Sequence, residues 1–313
     1  MTTTARTVVR PPRRWWRTLG LSFVEARPVV QVIFLLRFAG GAALAVLSGG
    51  SPGGAVVRGA AAWLLLTWSV YLINGVADVT EDRANGSRRP IARGLLDPAA
   101  ALRTAYALAT AGLLLAATVA PTLVLLGAGQ LALGWWYSMG RAPLKRRVSG
   151  TTGSVVLAGL LTYLAGASSA EARPVPHLWV FPVSMALWMA VGALAKDLSD
   201  VTGDRLAGRR TLPIARGETW ARRSIAAVAL TVALAFLISA QDAWPPVRIA
   251  SWLTMAGAVV LTWLACGSGG VGGPARRRRP YRVFMTTQYL AHLALLCPVA
   301  TCVWAQGHYV CGG

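Results

Sequence analysis

Residues 74–94 read NGVADVTEDRANGSRRPIARG and residues 196–217 read KDLSDVTGDRLAGRRTLPIARG. From Asp78 and from Asp200 the stretches share D-V-T-x-D-R-x-x-G, an Arg and, after a one-residue gap, P-I-A-R-G. The offset is 122 residues. Chance does not give a match of this length, so the chain carries a duplication. Each copy follows directly on an apolar segment of bilayer length, about 20 residues. Those segments are the second and sixth of nine, near 28–48, 55–76, 99–119, 121–139, 151–170, 178–196, 223–241, 248–266 and 285–306. Turn chemistry separates them: SPGG at 51–54, Pro121, EARPVP at 171–176, QDAWPP at 241–246 and GSGGVGGP at 267–274. The expected fold is all-α. A polytopic membrane domain over 28–306 holds two four-helix repeats in the same orientation, about 28–139 and 151–266, around a central cavity, then a ninth helix. A basic tail, 1–27, precedes it and a short tail, 307–313, follows.

Composition points the same way. Of 313 residues 55% are hydrophobic and 13% charged, against about 25% charged in a soluble domain. That excludes a soluble enzyme, and the apolar content excludes disorder. The formal net charge is +20. A nucleic-acid binder can be this basic, but it has no use for bilayer-length segments, so no nucleic-acid partner is expected. The charge instead sorts by side. With the N-terminus inside, the inner segments hold 27 of the 31 Lys and Arg; the others are Arg37, Arg58, Arg173 and Arg248. This asymmetry obeys the positive-inside rule. It places the N-terminus and both acidic stretches in the cytoplasm, the C-terminus outside, and the bilayer as a partner. The run Arg276–Arg279 reads as a topology determinant, with anionic lipid or a diphosphate as the alternative. The N-terminal segment lacks an apolar h-region and reads as a tail rather than a signal peptide. Cys266, Cys297, Cys302 and Cys311 form neither a metal-type pair nor a disulfide framework.

Six of the 11 acids lie in or just before the two copies: Asp78, Glu81, Asp82, Asp197, Asp200 and Asp204. Asn74, Asp78 and Asp82 recur at i, i+4, i+8, which predicts one helical face. Asp197, Asp200 and Asp204 recur at i, i+3, i+7, again one face. Carboxylates stacked this way repel unless a cation lies between them. Hard oxygens with an amide oxygen suit Mg²⁺, which takes a few carboxylates and completes its shell with substrate phosphate. Interfacial salt bridges to nearby Arg are the bland alternative. Asp97 and Glu218 are left outside the site. The only lysines, Lys145 and Lys196, both fall at this inner layer, Lys145 in the loop Trp135–Arg147 after the fourth segment. Paired acidic faces ringed by cations at a membrane surface suit a diphosphate whose isoprenoid tail enters the apolar cavity. Aromatic side chains can shield a cation there, although most Trp and Tyr read as interface anchors.

These residues resemble the UbiA superfamily of intramembrane prenyltransferases. Its first motif, N-x-x-x-D-x-x-x-D, stands here as Asn74, Asp78 and Asp82, followed by Arg89-Pro90. Its second is similar to Lys196-Asp197-LS-Asp200-VT-Gly203-Asp204-RLA-Gly208-RR-Thr211-Leu212-Pro213. A Y-S loop leading to a K-R pair stands as Tyr137-Ser138 and Lys145-Arg146. Two departures are visible: Gly75 replaces the acid that often follows the Asn, and the loop carries only Pro143. The resemblance implies that Asn74, Asp78 and Asp82 hold one Mg²⁺, and Asp200 with Asp204 another. Lys145, Arg146, Lys196, Arg89 and Ser138 are then placed on the diphosphate. Lys196, Tyr137 and Asp197 are placed as catalytic, Asp197 either orienting Lys196 or acting as a base.

The implied activity is Mg²⁺-dependent transfer of an isoprenoid from a prenyl diphosphate to an acceptor, expected to be aromatic, through an allylic cation. A terpene cyclase on the same scaffold, ionising the donor and closing it on itself, stays open. A transporter with acidic half-sites fits less well, because transporter sites lie at the midplane. Arg37 falls mid-span, where a charge costs about 2.5–3.5 kcal/mol. It reads as a counter-ion to an anionic acceptor or as paired to a buried polar group. Gln288 and His292 read as satisfied polar residues rather than ligands.

Overall fold

The computed structural model describes residues 15–172 and 174–305, with side chains to residue 299. The first 14 residues of the expected tail, Arg173, the expected outer tail 307–313 and Cys311 lie outside the described residues, as does the Cys302 side chain. A short helix α1 (Trp15–Glu25) leads into α2 (Pro28–Val46) and α3 (Gly54–Ala77). The first motif forms α4 (Val79–Ala84), followed by α5 (Pro98–Ala117) and α6 (Pro121–Ser138). Then come α7 (Val148–Ser169), α8 (Val180–Leu206), α9 (Leu212–Arg216) and α10 (Glu218–Ser239). The chain ends with α11 (Pro245–Cys266), α12 (Pro274–Arg277) and α13 (Arg279–Ala305). No strand occurs among the described residues; one isolated bridge joins Arg147 to Arg210.

Each expected segment has its helix. Among the described residues seven are long and apolar enough to cross a membrane: α2, α3, α5, α7, α8 with the turn before it, α10 and α11. Proline opens α2, α5, α6 and α11, where its missing N–H is not needed. Asp97 caps α5 by accepting from the Ala100 amide at 3.1 Å. Packing closes a ring: α2 lies on α7, α7 on α8, α8 on α10, α10 on α11, α11 on α13 and α13 back on α2, while α3 holds α5 and α6. Trp63 and Trp188 are fully buried between helices. The cavity is lined from α2, α3, α6, α7, α8 and α13.

Three details depart from the expectation. The described part of the N-terminal tail is helix α1, which rests on α3 and α5 and buries Glu25 completely. Helix α8 runs beyond residue 196, so the second motif is helical as far as Leu206. The first motif instead turns at Asp78, whose φ and ψ of −98° and 7° end α3 before α4 begins.

Candidate active site

Both copies of the motif meet at one end of the cavity, and they are built alike. The first acid of each copy is held by a lysine: Lys145 pairs with Asp78, and Lys196 with Asp200. The second acid that the two copies share is met by an arginine. Arg89 lies 2.7 Å from Asp82, and Arg209 lies 3.5 Å from Asp204. Arg209 also reaches across to the first copy, 3.0 Å from Asp78 and paired with Glu81. One guanidinium therefore joins the two acidic clusters. A backbone contact fixes the same approach, because the Gly203 amide donates to Asn85 Oδ1 at 2.8 Å. A methyl group on Gly203 would meet Asn85 Nδ2 at 2.3 Å and the Glu81 carbonyl at 2.6 Å. The second copy thus needs glycine where the first has Glu81.

Charge is balanced inside this cluster. Burial by itself raises the Asp78 carboxyl, but Lys145 and Arg209 hold it below its ordinary value. At Glu81 burial prevails and, with the neighbouring Asp78 charge, pushes the carboxyl up to about 7. Arg209 is buried, yet Asp78 and Glu81 raise its pKa, so it stays charged. Asp204 is 2% exposed, and its Oδ2 has no hydrogen-bond partner.

Asn74, Asp78, Tyr137, Lys145, Lys196 and Asp197 line the cavity. Asp200 and Asp204 sit behind it on α8, and Asp82 does not face it either. The turn at Asp78 breaks the i, i+4, i+8 face, and Asp82 is drawn to Arg89 and to Arg27 at 4.0 Å. Arg89 does not line the cavity. It is buried between Asp82 and Glu25, its Nε 2.7 Å from the Glu25 carboxylate. Ser138 is buried beside Asn74, whose Nδ2 donates to it at 3.3 Å. Arg146 is exposed and contacts the Arg141 carbonyl at 3.4 Å. Together with Ser138 it borders a separate depression that Glu81, Lys145 and Arg209 also reach. Arg209, Glu25 and Arg27 are absent from the sequence-based site. Arg209 carried one signal, its place inside the second copy; a lone acid in a basic tail carried none.

Glu25 explains the departure at Gly75. A methyl group at Gly75 would meet Glu25 Oε1 at 2.3 Å and an Arg89 amino group at 2.6 Å. The missing side chain is the space that the Glu25–Arg89 pair fills. Glu25 Oε2 accepts from the Ile91 amide at 2.8 Å, anchoring the loop after the first motif. Burial raises the Glu25 carboxyl, and Arg89 opposes that shift.

Away from the acids the cavity is apolar and aromatic, with Phe34, Tyr71, Tyr281 and Phe284 on its wall. No Trp lines it among the described residues; Trp15, Trp136, Trp252 and Trp263 face outward. His292 is satisfied as expected, bonded to Tyr163 at 2.6 Å and to the Gln288 carbonyl at 2.7 Å. Glu218 pairs with Arg222 and Arg277. Cys266 and Cys297 are free thiols.

Fold and site together define a helical membrane protein with a duplicated acidic motif closing one end of an apolar cavity. The chain belongs to the UbiA prenyltransferase family, whose model matches residues 34–287. It is 30% identical over 231 residues to the digeranylgeranylglyceryl phosphate synthase of Methanopyrus kandleri, covering 72% of this chain and 81% of that one. The synthase of the same name from Halobacterium salinarum is 32% identical over 237 residues, covering 72% and 77%. The fold is similar to that of a UbiA homologue from Archaeoglobus fulgidus bound to GPP and Mg²⁺. Its TM-score is 0.65 at 20% identity, over 88% of this chain and 99% of that one. The apo structure of a UbiA homologue from Aeropyrum pernix K1 gives 0.67 at 20% identity, over 86% and 98%.

Proposed function

We propose that this integral membrane protein is a Mg²⁺-dependent prenyltransferase that moves an isoprenoid from a prenyl diphosphate to an acceptor. The observation that carries the reading is Arg209, which brings Asp78 of one motif copy and Asp204 of the other to a single guanidinium. The donor set fits the metal. Its oxygens are hard, and Asp204 Oδ2 is buried without a partner. Among the described residues no three acids converge as a finished cage, which suits an ion that keeps part of its shell for substrate phosphate. Asn74 and Asp78, with Asp82 behind them, and Asp200 with Asp204 are the residues to hold it. When bound, Mg²⁺ supplies positive charge to a diphosphate leaving group.

The protein's own groups do the rest. Lys145, Lys196 and Arg209 now neutralise carboxylates, and the same side chains exchange onto the diphosphate when it enters. The donor C1–O bond breaks with its electron pair leaving on the diphosphate, where those three cations stabilise it. Phe34, Tyr71 and Tyr137 line the cavity, and aromatic rings there shield the allylic cation. The acceptor supplies the pair that forms the new bond to C1 and loses one proton. Lys196 pairs with Asp200, which leaves Asp197, on the cavity wall, as the base that takes that proton. Arg146 and Ser138 border the depression beside the cavity and are assigned to the diphosphate's approach. The sorted charges support the expected sidedness, with site and N-terminus cytoplasmic and the C-terminus outside. The recurrence of α3–α5 and α5–α6 as α8–α10 and α10–α11 supports nine spans in two parallel repeats.

An aromatic acceptor was the expectation, whereas the relatives' name describes a glyceryl phosphate product. The relatives' name supports transfer. Cyclisation is disfavoured by Arg37 on the cavity wall, a cation without a carboxylate partner among the described residues, which repels positive charge moving along the tail. The test is incubation of bilayer-reconstituted protein with C10–C20 diphosphates. Product formed only after an acceptor is added supports transfer; a hydrocarbon formed without one establishes the cyclase.

A further inference from the structure

Among the described residues, the cations that line the acidic end of the cavity each have a carboxylate, and so does Arg89 behind it. Lys145, Lys196, Arg89 and Arg209 are all ion-paired. Arg37 differs. It lies ten residues beyond Arg27 on α2, about 15 Å further along the helix. It is 2% exposed and on the cavity wall. Its guanidinium donates to Gln288 Oε1 and stacks over Phe34, 5.3 Å from the ring centre. Its Nε is buried without a partner. Among the described residues no carboxylate pairs with it.

The surroundings add no negative charge. The Gln288 carbonyl can only accept, so His292 donates to it through Nδ1. Nε2 is then an acceptor, and the Tyr163 hydroxyl donates to it. Gln, His and Tyr are all neutral here, so one full positive charge stands in an apolar chamber without a counter-ion. A guanidinium is built to take two oxygens of a carboxylate or phosphate in one plane, and beside it the Gln288 amide has only the weak acceptor Met285 Sδ, at 3.7 Å.

The rise of the lining helices gives the length of the cavity. Cavity-lining residues include Met189 and Lys196 on α8 and Tyr281 and Gln288 on α13, seven residues apart in each case. Seven residues of helix span about 10 Å. A diphosphate held by Lys145 and Arg209 is too compact to reach the far end. A second small molecule, its nucleophile toward donor C1, fits between. We infer that Arg37 and Gln288 form the anion subsite of the acceptor, which is therefore an oxyanion, a carboxylate or a phosphate, and not a neutral molecule. This rests on the transferase reading.

The experiment uses the full chain in lipid nanodiscs with Mg²⁺ and geranyl or geranylgeranyl diphosphate. Two matched pairs are offered: 4-hydroxybenzoate with 4-hydroxybenzamide, and geranylgeranylglyceryl phosphate with geranylgeranylglycerol. The charged member of one pair is expected to be preferred in kcat/KM by roughly ten- to a hundredfold, the size of one charge-assisted hydrogen bond. The preferred pair tells carboxylate from phosphate. Arg37→Gln is expected to bring that ratio to about one and Arg37→Lys to retain part of it; as a ratio, it does not depend on the amount folded. Equal use of the neutral partner, or a ratio unchanged in Arg37→Gln, overturns the subsite. The same compounds are scored for protection against thermal unfolding, so a chain that prenylates none still answers: no protection by either anion also overturns it. Absence of any Mg²⁺-dependent diphosphate release by the wild type refutes the transferase reading beneath it instead.

Discussion

Glu25→Ala is expected to be one of the most damaging changes away from the cavity wall. Glu25 has no exposure and Arg89 has 6%. Removing one partner of a buried pair costs about 3–5 kcal/mol, because the other charge is left without compensation. Arg89 keeps Asp82 at 2.7 Å, which favours the lower end, about 3 kcal/mol. The Ile91 amide loses its acceptor as well, adding about 1 kcal/mol. Gly75→Ala attacks the same place from the other side, with its methyl group 2.3 Å from Glu25 Oε1. Overfilling of this kind costs about 1–3 kcal/mol. Combined, the two changes are expected to cost less than their sum by about 1 kcal/mol or more, since the first removes the atom that the second strikes. The assay is denaturant or thermal unfolding of wild type, both single variants and the double variant in one detergent without metal. A Glu25→Ala protein within about 0.5 kcal/mol of wild type, the range of an ordinary surface change, refutes the reasoning. So does a strictly additive cycle.

Arg209→Gln leaves Asp78, Glu81 and Asp204 without their shared cation. Mg²⁺ is expected to raise its melting temperature more than that of wild type, because binding only the folded form stabilises it; equal shifts would count against a metal between the copies. Gly203→Ala forces the motif copies apart at Asn85 and the Glu81 carbonyl. It is expected to cost about 1–3 kcal/mol and to lower donor turnover at every Mg²⁺ concentration, read by diphosphate release. Arg146→Gln, at an exposed side chain outside the cavity, is expected to keep stability within about 0.5 kcal/mol of wild type and to weaken donor KM without touching kcat; loss of kcat would return Arg146 to the reacting centre.

The architecture was legible because its signals are periodic and local. Bilayer-length apolar runs, sorted Arg and a motif repeated 122 residues apart need no knowledge of distant contacts, and each expected segment has a helix. The two lysines stood out by rarity, and both proved to hold the leading acid of a motif copy. What the pattern missed depends on contacts distant in sequence. Arg209 meets Asp78 across 131 residues and Glu25 meets Ile91 across 66, and one Arg among many carries no mark of such a partner. The direction of Asp82 was missed for another reason. The i, i+4, i+8 rule assumes a continuous helix, and α3 ends at Asp78. In the second copy, where α8 continues through Asp200 and Asp204, the assumption held. Gly75 looked like a defect in a motif until Glu25 was seen to fill its place.

The most direct test of the account compares diphosphate release from a radiolabelled C10–C20 prenyl diphosphate by wild type, Asp78→Asn and Asp204→Asn in bilayers, with and without Mg²⁺. The account predicts release by wild type only with Mg²⁺, and a fall of about 100-fold or more, the size of one lost electrostatic contact at a reacting centre, in each variant. Full turnover after either substitution would show that one copy works without the other and would contradict a shared site.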